Sequence, residues 1–113
     1  MKASGKGLER QRAAKPEAMM QLVAFLVGDG EYALDIMRIK EIINPVKITA
    51  VPKAPPFIEG VIELRGAILP VVDMRKRFDL PPSTPSRASK ILIVVLDIGG
   101  KRMIVGLVVD RVL

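Results

Sequence analysis

Cysteine, histidine and tryptophan are all missing from the 113 residues. Without the first two there are no disulfides, thiolate nucleophiles, imidazole bases or Cys/His metal sites. Aromatic side chains are scarce, three Phe and one Tyr, which leaves little surface on which nucleobases can stack. Serine occurs only at Ser4, Ser83, Ser86 and Ser89, and none has an ordinary base to activate it. No uncharged run approaches the roughly 18–20 residues that cross a bilayer. The opening residues Met1 to Lys15 lack the apolar core of a secretory signal. These absences predict a non-catalytic, cytoplasmic protein with no cofactor, no metal and no membrane insertion.

What is present is a chain 50% hydrophobic and 27% charged, enough for one packed domain or two very small ones. Lys and Arg outnumber Asp and Glu by 18 to 12, a net charge of +6. Basic proteins gain affinity for nucleic acid by neutralising phosphate, so a small basic β-barrel that binds nucleic acid is one reading. The distribution weakens it. Five bases (Lys2, Lys6, Arg10, Arg12, Lys15) lie in the first 17 residues, and five more (Arg75, Lys76, Arg77, Arg87, Lys90) surround a Pro/Ser stretch. Such charge chiefly solvates flexible segments, and nucleic-acid contact is expected to be weak and non-specific at most. Residues 1–20 read as a flexible basic arm.

From Gln21 the character changes. Leu22 to Val27 is a continuous apolar run ended by Gly28-Asp29-Gly30 and followed by Glu31 to Leu34. It predicts a hairpin whose first strand is buried on both faces. Over Asp35 to Ile43 the residues Ile36, Ile39 and Ile43 share one helical stripe, with Asp35 placed as a cap. This favours a helix of about two turns, and the isoleucines make a strand the competing assignment. Val46 to Val51 reads as a strand. Gly60 to Asp73 reads as two strands folded about Arg65-Gly66, with Pro70 marking an edge or a bulge. Met74 to Asp79 predicts a helical turn, Leu80 to Ser89 a linker, and Ile91 to Val109 a second apolar hairpin about Gly99-Gly100. Seven strands and two short helical turns give an all-β chain of small-barrel architecture. Asp73 and Asp110 follow strands and read as turn formers.

From Glu31 onward the sequence resembles the CheW-like domain of bacterial chemosensory coupling proteins. The match is carried in order by Phe25–Asp35, Ile39–Ile42, the Pro-rich Val51–Val61, Glu63-Leu-Arg-Gly66, Leu69–Asp73 and Val105–Asp110. Each motif alone is weak, but six in sequence over about 90 residues are specific. The resemblance implies two SH3-like five-stranded barrels, of which the first (21–80) is expected complete. After a linker (81–90), the second (91–113) is expected to be truncated. The chain opens on Met1, so the shortfall is expected to be natural. In brevity the chain is similar to the short CheW-like member of the Frizzy motility pathway.

The same resemblance implies an adaptor that joins the tip of a methyl-accepting chemoreceptor to a CheA-type histidine kinase. Carried over by position, the receptor-binding residues are Ile36, Ile39, Glu41, Gly60 and Arg65. The isoleucines would supply area to a helical tip, and Arg65 a fork for a carboxylate. Plainer readings stand beside these. Ile36 and Ile39 suit a core, Gly60 and Gly66 suit turn geometry, and Arg65 can pair in water with Glu63, worth about 0–1 kcal/mol. The family usually has Asn where this chain has Glu63, and an acid there would compete for the guanidinium. A truncated second barrel predicts weakened or lost kinase binding, with a full-length CheW-like adaptor as a further partner. It also predicts an open edge on strands 91–98 and 103–109, covered by a homodimer, a strand exchange or a partner.

Overall fold

The computed structural model describes residues 21–82 and 86–113. The arm expected over 1–20 and linker residues 83–85 lie outside the described residues. Leu22–Val27 (β1) and Gly30–Asp35 (β2) form the expected antiparallel hairpin, with Phe25 opposite Tyr32. Burial of β1 is one-sided, however. Phe25 and Val27 are buried, whereas Leu22 on the other face is 57% exposed.

The segment after β2 corrects the two-turn helix. Only Ile36–Arg38 turns, as a 3₁₀ element, and Ile39–Ile43 is a strand, β3. Asp35 does cap the turn, its carboxylate accepting the Met37 N–H at 2.9 Å. Pairing with a buried neighbour decides in favour of the strand, because branched side chains fit a pleated, half-buried surface. The expected strand at Val46–Val51 reduces to one isolated bridge, Thr49 with Val61.

Ile58–Leu64 (β4) and Ala67–Asp73 (β5) fold about Arg65-Gly66 as expected. Both turn residues have positive φ (51° and 82°), the backbone a two-residue primed turn requires. Met74–Arg77 (α1) follows, capped by Asp73, whose carboxylate accepts the Arg75 N–H at 2.9 Å. Lys90–Ile98 (β6) and Lys101–Val109 (β7) form the last hairpin, and Arg111–Val112 adds a short β8. Eight strands are therefore seen among the described residues, against the seven expected. Strands 39–43 and 111–112 are gained, and 46–51 is lost.

The strands make two sheets, β2-β1-β8 and β3-β6-β7-β5-β4. Pairing crosses the expected division at the linker. β6 lies between β3 and β7, and β7 lies between β6 and β5, to which it runs parallel. The edge predicted open on 91–98 and 103–109 is occupied in part, by β3 at Ile91–Val94 and by β5 at Gly106–Val108. Of the two sheets, the larger takes in both strands of that hairpin, and the three-stranded one joins 22–35 to 111–112. Pro70, in an interior strand, lies just before the parallel pairing with β7 begins at Val71, where its missing N–H breaks no shared ladder.

Ile91 to Val94 are all buried because β6 has a core on each face. Ile91 and Ile93 pack with Ile62, Leu69 and Val71. Leu92 and Val94 pack with Phe25, Val27, Val105, Leu107 and Val109 between the sheets. Each such fully buried side chain contributes about 1.5–3 kcal/mol.

Candidate functional site

The residues carried over from the resemblance fall into three places. Glu41 and Arg65 meet directly. Nη1 and Nη2 of Arg65 donate to Oε1 and Oε2 of Glu41, the second at 3.1 Å. Glu41 sits on β3 and Arg65 in the β4–β5 turn, at opposite edges of the five-stranded sheet. The pair therefore joins the two edges of a curled sheet, as a small SH3-like barrel requires. The plainer reading of the sequence pairs Arg65 with Glu63, only two residues away. Glu41, 24 residues away, takes that role.

The pair stays in contact with solvent, with the Arg65 side chain 72% exposed. Hydrogen bonding to Arg65, reinforced by its charge, holds the Glu41 carboxyl below its ordinary pKa despite partial desolvation. The same bond raises Arg65. At neutral pH the fork is charged, oriented and reachable. A bulge in β3 governs this geometry. Ile39 pairs with Val94, but Glu41 pairs with Ile93. Ile39 therefore turns toward the core between the sheets, and Glu41 toward the barrel mouth.

Ile36 lies on the 3₁₀ turn, 42% exposed beside Met37 at 84%. Ile39 is half-buried against the core between the sheets. With Lys40, Val95 and Arg102, Met37 and Ile39 line an open groove of about 630 Å³. Arg38 and Asp97 pair across it at 3.1 Å. Gly60 is elsewhere. It is buried in β4 with φ 154°, and a Cβ there would lie 2.1 Å from the Thr49 carbonyl oxygen. Thr49 exchanges two backbone hydrogen bonds with Val61, at 2.8 and 2.9 Å. The close approach at Gly60 is thus filled by the chain's own backbone.

Sequence reasoning missed a further ion pair. Asp110, read as a turn former, accepts Nε of Arg75 at 3.0 Å, Nη2 at 2.9 Å and the Gly28 N–H at 2.7 Å. The only sequence signal was an Arg and an Asp, each next to the end of an apolar strand. The basic cluster is dispersed by such contacts. Lys76 donates to Glu59 and Lys90 to Asn44, and Arg77 lies 5.5 Å over the Phe57 ring. Phe25, Tyr32 and Phe78 stack on one another, at 6.0 and 4.9 Å between neighbouring rings.

A curled five-stranded sheet, a companion three-stranded sheet and an Arg-Gly hairpin define a β-barrel domain, with no His/Cys/Asp/Glu cluster fit for a metal among the described residues. Residues 21–113 match the CheW-like domain model, and the chain belongs to that family. It is 39% identical over 92 residues to a probable chemotaxis protein CheW of Rhizobium etli, covering 81% of this chain and 57% of the relative. Chemotaxis protein CheW of Helicobacter pylori is 34% identical over 93 residues, 76% of this chain and 56% of the relative. Protein FrzA of Myxococcus xanthus is 32% identical over 66 residues, 58% and 41% of the two chains. The crystal structure of the scaffolding protein TtCheW from Thermoanaerobacter tengcongensis superposes with a TM-score of 0.72 at 41% identity. It covers 83% of this chain and 62% of TtCheW. The chain thus spans slightly more than half the length of these CheW relatives.

Proposed function

We propose that the chain is a non-catalytic adaptor of a bacterial chemosensory array. It binds the cytoplasmic signalling tip of a methyl-accepting chemoreceptor and modulates that receptor's coupling to a CheA-type histidine kinase. The observation that carries the reading is the exposed Arg65 fork, fixed by Glu41 at the mouth of a CheW-like barrel. Glu41 takes one N–H from each Nη and orients the guanidinium, which leaves the Nε–H and the outer Nη N–H groups to recognise a carboxylate on a helix. Ile36 and the neighbouring Ile39 offer apolar area to the same kind of ligand. Gly60 keeps the Thr49 segment against β4 and so supports the hairpin that carries Arg65. The site works in the cytoplasm, and no described helix is long and apolar enough to cross a membrane.

Titrating a purified receptor signalling domain into the protein tests this. Saturable binding is expected, and Arg65→Ala should weaken it about tenfold, or about 1.4 kcal/mol. Unchanged affinity in the variant would leave Arg65 with a purely local structural part.

A further inference from the structure

The groove between the 3₁₀ turn and the end of the β6–β7 hairpin mixes apolar and charged side chains. Met37, Ile39 and Val95 supply the first kind, and Arg38, Lys40, Arg102 and Asp97 the second, three bases against one acid. Asp97 stands between two of the bases. Its Oδ2 accepts Nη1 of Arg38, from the turn, at 3.1 Å. Its Oδ1 lies 3.9 Å from Nε of Arg102, its register partner across the hairpin. One carboxylate thus faces two guanidinium groups from different elements, an oxygen toward each. All three side chains are well exposed, so these contacts are cheap to break. They also leave both guanidinium groups with N–H donors to spare, since Asp97 takes one from Arg38 and at 3.9 Å makes only an ion pair with Arg102.

We infer that this groove takes an acidic helix, and that Asp97 holds in the free protein the place of that helix's carboxylate. The inference rests on the proposed function only for the natural ligand, the receptor's signalling tip; the charge preference follows from the groove itself. With Asp97 in place the groove still carries a net positive charge, which favours an acid over a base. An amphipathic helix sets its apolar face on Met37, Ile39 and Val95, with the flexible Met37 adapting to its shape. A glutamate at the margin of that face takes Arg38 and Arg102 over from Asp97. One exposed ion pair is exchanged for another, and a fork-like contact is gained. A basic helix meets three like charges and is rejected. Asp97 is therefore a specificity-determining residue: it competes with every acidic ligand for the same two arginines.

Fluorescence anisotropy of the full chain with two labelled amphipathic helices tests this, one with glutamates beside its leucine face and the other with lysines at those positions. The glutamate helix should bind at least about tenfold more tightly at about 0.05 M salt and lose that advantage at about 0.5 M. Asp97→Asn, an isosteric change at an exposed site, should tighten its binding about fivefold, and Arg102→Gln should weaken it about as much. A lysine helix bound as well as the glutamate helix overturns the inference. So does an Asp97→Asn variant that holds the glutamate helix no more tightly than the unaltered protein. A receptor signalling domain titrated in parallel separates the two readings. Receptor affinity lowered by Arg65→Ala but unmoved by Asp97→Asn keeps the adaptor and overturns the groove. A glutamate helix bound as expected, with no receptor binding at all, refutes the adaptor and keeps the groove.

Discussion

Asp110 shows how much a single carboxylate can tie together. It receives the Arg75 guanidinium from α1 and the Gly28 N–H from the β1–β2 turn. Arg75 in turn donates to the Pro81 carbonyl at 2.8 Å. Burial by itself would raise the Asp110 pKa, but the Arg75 and Gly28 hydrogen bonds outweigh it and hold the group below its ordinary value. A carboxyl with a depressed folded pKa contributes stability above its unfolded pKa, near about 3.9, and loses it as pH falls through the folded value. Asp110→Asn should therefore cost about 1–3 kcal/mol at pH 7. Urea titrations of both proteins should show that gap closing as the pH is taken below about 4. A constant gap from pH 7 down to acid would deny the carboxylate its part. None of this was visible in sequence, because the partners lie 35 and 82 positions away. The Arg65–Glu41 pair was hidden for the same reason, although both residues were singled out.

At the scale of elements, hairpins with a turn signal between apolar runs were legible, as at Gly28-Asp29, Arg65-Gly66 and Gly99-Gly100. The segment 35–43 was not, since isoleucines at helical spacing also suit a strand, and only pairing with β6 decides. The β3 bulge has no sequence mark at all, yet it separates Ile39 from Glu41 onto opposite faces. Gly60 was legible as a glycine that matters, and the structure supplies the reason. Gly60→Ala drives a Cβ into the Thr49 carbonyl at a positive φ, which should cost about 2–4 kcal/mol. Gly66→Ala meets nothing within 4 Å and should cost only about 1–2 kcal/mol for its left-handed backbone. Thermal melts of the two variants test the ordering. If Gly66→Ala proved the more damaging, the Thr49 segment would not be held against β4 as described.

For the whole molecule the question is how many neighbours it can hold. Five strands curl into one barrel-like unit, while the β2-β1-β8 sheet has only three strands among the described residues. A ring of adaptors and kinase regulatory domains closes only if every member presents two compatible faces, and a unit with one such face ends it. The proposed adaptor should therefore bind receptor yet hold a kinase regulatory domain at least about tenfold more weakly than a full-length CheW-like adaptor does, a difference of about 1.4 kcal/mol. Added to receptor, kinase and full-length adaptor, it should compete for receptor sites and lower kinase activity in proportion to its share of them. Parallel pull-downs against the two partner domains, with the full-length adaptor as reference, measure the first effect, and a phosphorylation assay the second. Equal kinase affinity would give the three-stranded sheet a binding face as good as that of a complete barrel. The chain would then extend arrays, and kinase activity would rise with its concentration.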